Sequence, residues 1–129
     1  MTDSELEEPR GELVIRTLAM PADTNPAGDI FGGWLLAQMD IAGGVLARTR
    51  GSGRVATIAV DSMVFHSPVF VGDVVCCYAD MARIGRTSMT VHIQAWVLRD
   101  AAGDRVKVTE GVFTYVAIDD NRRPRPVEG

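Results

Sequence analysis

The chain has 129 residues, enough for one domain that buries roughly two thirds of the surface its unfolded form exposes. Its 47% apolar and 23% charged residues are ordinary for a soluble globular protein, and a net charge of −4 gives no general attraction to nucleic acid or an anionic membrane. Both cysteines are adjacent, Cys76 and Cys77, so on a strand they point to opposite faces, which excludes a secreted disulfide framework and argues for a reducing compartment.

Residues 1–10 are acidic and lack the basic and apolar regions of a signal peptide, so they are expected to form a flexible tail on a cytoplasmic protein. Residues 11–119 then read as a single domain of the α+β class. Glu12 to Ala19 is a first strand. Met20 to Asp29, with two prolines, a glycine and three Asx residues, is a loop. Asp29 is a candidate N-cap for a helix from Ile30 to Thr49, although Gly32 and Gly33 could move its start by a turn. This helix is apolar nearly all round, the pattern of a helix surrounded by protein. Its apolar stretch reaches the length of about 18 residues that could span a bilayer. Asp40 at the centre argues instead for a helix enclosed by the protein's own sheet.

Everything downstream is extended. Val55 to His66, Val74 to Ile84, Ser88 to Arg99 and Val106 to Ile118 are rich in strand formers and separated by glycine-containing turns. The third of these runs alternates, with Met89, Val91, Ile93, Ala95 and Val97 on one face and Thr90, His92, Gln94, Trp96 and Leu98 on the other. The predicted architecture is a five-stranded antiparallel sheet wrapped around one long central helix, in the order β-α-β-β-β-β. Residues 120–129, rich in arginine and proline, read as an extended, exposed C-terminal tail.

Asp40 is the only charged residue between Asp29 and Arg48. An ionised carboxylate in apolar surroundings loses several kcal/mol of hydration, so its presence points to chemistry or to a structural hydrogen bond. Other chemistries find little support. The only histidines, His66 and His92, belong to no metal-ligand spacing, and no metal is expected. Ser62 lies mid-strand without the glycines of a nucleophile elbow, and the phosphate-binding glycine loop is absent. A cysteine nucleophile paired with His92 stays open, although strand cysteines usually serve as small hydrophobes.

Gly32 and Gly33 at a helix start present free N–H groups at the positive end of the dipole, which suits an oxyanion. Taken alone, such glycines read first as allowing Trp34 to pack closely on a strand. Distance adds a constraint, because the eight residues from Gly32 to Asp40 span about 12 Å of helix, too far for one small reacting group. Either the glycines are structural or the site combines Asp40 of one chain with Gly32 or Gly33 of another.

The block from Arg16 to Gly44, RTLAMPADTNPAGDIFGGWLLAQMDIAGG, closely resembles the YciA-type acyl-CoA thioesterases of bacteria. The likeness continues through Val71–Tyr78, Gly85–Ser88, Val112–Ala117 and Pro124–Arg125, covering roughly residues 12–126. It implies the hotdog fold and hydrolysis of acyl-CoA to free acid and CoA, which is part of the substrate rather than a cofactor. It also implies that Asp40 is the catalytic carboxylate, as general base or nucleophile, with Asn25, Gly32 and Gly33 contributed by the opposite subunit of a dimer. Dimers assembled into hexamers are implied as well.

The phosphates of CoA need local donors, for which Arg83, Gly85, Arg86, Thr87 and Ser88 are the candidates and Arg122, Arg123 and Arg125 weaker ones. Pro26-Ala27 and His66-Ser67 depart from what many relatives carry and bear on chain-length preference. Two rivals stand beside the hydrolase: a hotdog dehydratase, which wants a histidine near the helix, and a non-catalytic acyl-CoA sensor.

Overall fold

The computed structural model describes residues 7–99 and 103–128. Five strands, β1 (Glu12–Leu18), β2 (Val55–Phe65), β3 (Val74–Ile84), β4 (Ser88–Leu98) and β5 (Arg105–Ala117), form one antiparallel sheet in the order β1-β3-β4-β5-β2. A single long helix, α1 (Gly32–Arg50), crosses one face of that sheet and contacts every strand. This is the expected α+β arrangement, with each strand bounded within a residue of its predicted limits.

The alternation in β4 decides how the helix sits. Met89, Val91, Ile93, Ala95 and Val97 are all buried, and their partners on β3 and β5, including Val75, Cys77 and Phe113, line the same face. Against this face α1 buries Leu35, Met39, Ala42, Gly43 and Ala47, a stripe at helical spacing. The opposite side of the helix is open: Ile41 is 53% exposed and Val45 48%. The enclosed helix expected from its all-round apolarity is therefore covered by the sheet on one side and open on the other within the chain. No helix among the described residues is long and apolar enough to cross a membrane.

The helix begins at Gly32, not after Asp29. Its N-cap is Phe31, which makes no side-chain cap. Asp29 is instead tied into the preceding loop, its main-chain oxygen accepting from Asn25 N at 2.7 Å. A one-turn 3-10 helix (Pro21–Asp23) and a bridge between Thr24 and Ile30 complete that loop. The loop after β2 closes on the helix start, with Ile30 N donating to Val69 O and Asp73, 3% exposed, paired with Arg99.

Neither tail behaves wholly as expected. Residues 1–6 lie outside the described residues, but 7–10 are strapped to the outer face of the sheet: Glu7 pairs with Lys107, Glu8 with Arg105 and Arg10 with Asp80. Arg10 N also donates to Gln94 Oε1 at 3.0 Å, which helps explain why Gln94 and Trp96 on that face are buried. The C-terminal segment, expected to be extended and exposed, is docked. Pro124 bridges to Ile118, Val127 is buried with its N–H on Arg86 O, and the Arg125 guanidinium donates to the main-chain oxygens of Ile118 and Gly51. Charges and prolines signal exposure only until main-chain acceptors elsewhere in the fold are within reach.

On the outer face Glu110 accepts from Lys107 Nζ at 2.8 Å, His66 Nε2 at 2.9 Å and His92 Nε2 at 3.3 Å. The Lys107 hydrogen bond above all, helped by the histidines and opposed by burial, holds its carboxyl down at about 2 from the ordinary 4.5. A depressed carboxyl stabilises the fold above its unfolded value and loses that contribution as pH falls towards the folded one. Glu110→Gln is therefore expected to melt below wild type at pH 6, with the gap closing between about pH 4.5 and 2. A gap that stays constant over this window, measured by thermal melts, would exclude the linkage.

Candidate active site

Asp40 lies two turns into α1 on the flank of the helix that faces β2 and β5. Strand register decides what meets it there. Thr57 of β2 is paired directly with Tyr115 of β5, so both side chains leave the sheet on the same face, towards the helix. Thr57 Oγ1 donates to Asp40 Oδ1 at 2.7 Å, and Tyr115 Oη donates to the same Oδ1 at 3.1 Å and to the Asp40 main-chain oxygen at 2.9 Å. Among the described residues no group donates to Oδ2. Burial, together with the neighbouring Asp40 charge and hydrogen bond, pushes the Tyr115 phenol well above its usual range, so it remains a proton donor.

A cleft of about 240 Å³ opens beside this carboxylate, lined by Gly33, Leu36, Ala37, Asp40, Thr57, Val60 and Phe113. Its four helical residues recur at the spacing of one helix face. The walls are apolar apart from Asp40 and Thr57. Such a cleft suits an acyl chain with a reacting carbonyl at its polar end.

The helix-start glycines are not demanded by packing within the chain. A Cβ at Gly33 would meet nothing within 4 Å, and one at Gly32 would meet only the Phe65 ring at 3.6 Å. The expectation that they serve close packing of Trp34 is thereby corrected, and both positions are exposed. Asn25 stands in the preceding loop, where its Oδ1 accepts from Ala27 N at 3.0 Å and Asp29 N at 3.1 Å, an Asx turn that shapes the loop. Within one chain the fold joins Gly33 to the Asp40 cleft but leaves Asn25 and Gly32 at the helix start, about 12 Å of helix from Asp40.

The β3–β4 turn carries Gly85, Arg86, Thr87 and Ser88, closed by Gly85 N on Ser88 O at 2.7 Å. It lies at the other end of the helix, where Met89 packs under Gly51. Arg86 and Thr87 lend main-chain oxygens to Val127 and Ala117, which leaves the exposed Arg86 and Arg83 side chains directed to solvent. Arg125 drops out of the anion-binding set, since its guanidinium is occupied by carbonyls. Among the described residues no cysteine bonds a histidine: burial pushes the Cys77 thiol up to about 12, and both histidines bond Glu110.

Thr57 and Tyr115 went unrecognised in the sequence. Each is a single hydroxyl in an ordinary strand pattern, and only pairing Thr57 with Tyr115 across β2 and β5 could have found them.

The acyl-CoA thioester hydrolase YciA of Salmonella typhimurium is 56% identical over 122 residues, covering 92% of each chain. The chain belongs to the YciA-type acyl-CoA thioester hydrolases. A family model for the thioesterase superfamily matches residues 27–102 of this YciA-type chain, the span from the Asn25 loop through β4. Among solved structures, the hexameric thioesterase from Yersinia pestis superposes on it with a TM-score of 0.90 at 56% identity, covering 95% of this chain and 99% of that one. An acyl-CoA hydrolase from Staphylococcus aureus, solved with butyryl coenzyme A, gives 0.81 at 28% identity, covering 87% and 68%. The hotdog fold that the resemblance implies is thus the fold of this YciA-type enzyme.

Proposed function

We propose that the protein hydrolyses short to medium acyl-CoA thioesters to free acid and CoA, with Asp40 as general base in a site shared between two chains. The observation that carries this reading is the state of the Asp40 carboxylate, whose Oδ1 holds two hydroxyls while Oδ2 has no donor among the described residues, beside an apolar cleft. Oδ2 takes a proton from water as the water oxygen adds to the thioester carbonyl. The carbonyl becomes an oxyanion, received by the Gly32 or Gly33 N–H at the positive helix end, with Asn25 orienting water or carbonyl. Collapse breaks the C–S bond, and Asp40 returns its proton to the departing thiolate. No metal or cofactor takes part.

Two features support a second chain. The open side of α1 and the edge strand β2 expose Ile41, Val45, Ile58, Val60, Val64 and Phe65, an apolar surface beside an unpaired strand edge. Gly33 lines the Asp40 cleft, but Gly32 and the Asn25 loop stand about 12 Å of helix from Asp40, too far to serve the same carbonyl within a chain. A two-fold dimer brings each loop to the partner's carboxylate and forms two sites, and the hexameric state of the Yersinia relative supports three such dimers. Arg83 and Arg86 with the Gly85–Ser88 turn are proposed to hold the CoA phosphates.

The test is thiol release from a panel of acyl-CoAs, from acetyl to dodecanoyl, with EDTA present. Turnover without added metal is expected. Tight binding with no turnover at any chain length would favour the sensor instead.

A further inference from the structure

The Tyr115 hydroxyl reaches the helix at a point where a side chain would normally stand. A Cβ on Gly43 would overlap both the Tyr115 Oη and the Ile93 Cδ1, so the phenol occupies a notch left open by a glycine one turn beyond Asp40. Gly43 is fully inside the fold, a position where glycine costs helix stability relative to alanine. What the notch admits is a hydroxyl that grips Asp40 twice, at the main-chain oxygen and at Oδ1.

We propose that Tyr115 is a positioning residue for the hydrolysis, with Gly43 as the gap that lets it work: it locks the Asp40 side chain to its own backbone so that Oδ2 is held for the reacting water. This rests on the reading of Asp40 as the base. The single phenol proton, shared between the main-chain oxygen and Oδ1, couples the carboxylate's orientation to the helix backbone. Thr57 alone, bonding only Oδ1, leaves the carboxylate free to swing about that oxygen. The ring is set in place by its pairing with Thr57 and by stacking on Phe113, 6.4 Å between centroids with planes 13° apart. Losing the hydroxyl therefore releases the carboxylate without disturbing the sheet.

Tyr115→Phe keeps the ring and removes only the grip. It is expected to lower kcat about tenfold, at the weak end of what misplacing a catalytic group costs, with KM for acyl-CoA within about twofold of wild type. Because Tyr115 acts through Asp40, adding Tyr115→Phe to Asp40→Asn should change the residual rate by less than about twofold. Thermal melts show whether each variant is folded.

A folded Tyr115→Phe enzyme with wild-type kcat, alongside an inactive Asp40→Asn, overturns the Tyr115 assignment and leaves Asp40 standing. Equal losses in both backgrounds overturn it too, since Tyr115 would then act elsewhere. A fully active Asp40→Asn removes the reading of the site itself, and this inference with it.

Discussion

Asp40→Asn is expected to lower kcat for acyl-CoA hydrolysis by at least about a hundredfold, the usual scale for losing a general base. The substitution suits the site because an amide keeps the shape of the carboxylate. Its oxygen can still accept the Thr57 and Tyr115 hydroxyls that now meet at Oδ1, so neither hydroxyl loses its acceptor. The NH₂ group takes the place of Oδ2 and cannot remove a proton from water. Melting temperature should therefore stay close to wild type while kcat and kcat/KM fall together. Steady-state kinetics on the best substrate of the panel decides the matter, and near-normal kcat in a folded variant would sink the assignment.

Mixing two inactive variants is expected to restore activity. Asn25→Ala damages the loop of the chain that carries it, where the Asn25 carboxamide organises Ala27 and Asp29, and Asp40→Asn damages that chain's carboxylate. If each site takes its loop from one chain and its carboxylate from the other, a mixed dimer has one site with both defects and one with neither. Co-refolding should then recover up to about half the wild-type activity per exchanged dimer, by the symmetry of an isologous interface. Mass spectrometry measures the exchange independently. Confirmed mixed dimers with only parental activity would mean that one chain builds its own site.

The two predictions draw on different depths of information. Asp40 was legible because a lone charge in an apolar helix is an anomaly that composition alone exposes, and the strands were legible because alternation in β4 reports which face is covered. The helix starts two residues beyond Ile30, at one of the glycines that the sequence offers as the alternative start. Asp29 has the chemistry of a cap, but its main-chain N–H and oxygen close the loop with Asn25, and the helix starts beyond it with Phe31 at the cap. Taken alone, the helix-start glycines suggest close packing of Trp34 as readily as an anion site, and only the structure shows that the space around them within the chain is open.

The order of elements, the antiparallel sheet and the identity of the acid follow from local pattern, since periodicity and desolvation act on residues near one another in the chain. The environment of that acid does not. Thr57 and Tyr115 are far apart in sequence and from Asp40, and they meet on one oxygen only because the register of β2 on β5 sets them side by side under the helix. The docking of residues 7–10 and of the C-terminal segment, and the open flank of α1, belong to the same class. Each depends on which acceptors, charges and apolar surfaces a distant segment happens to face, and that is settled by tertiary packing.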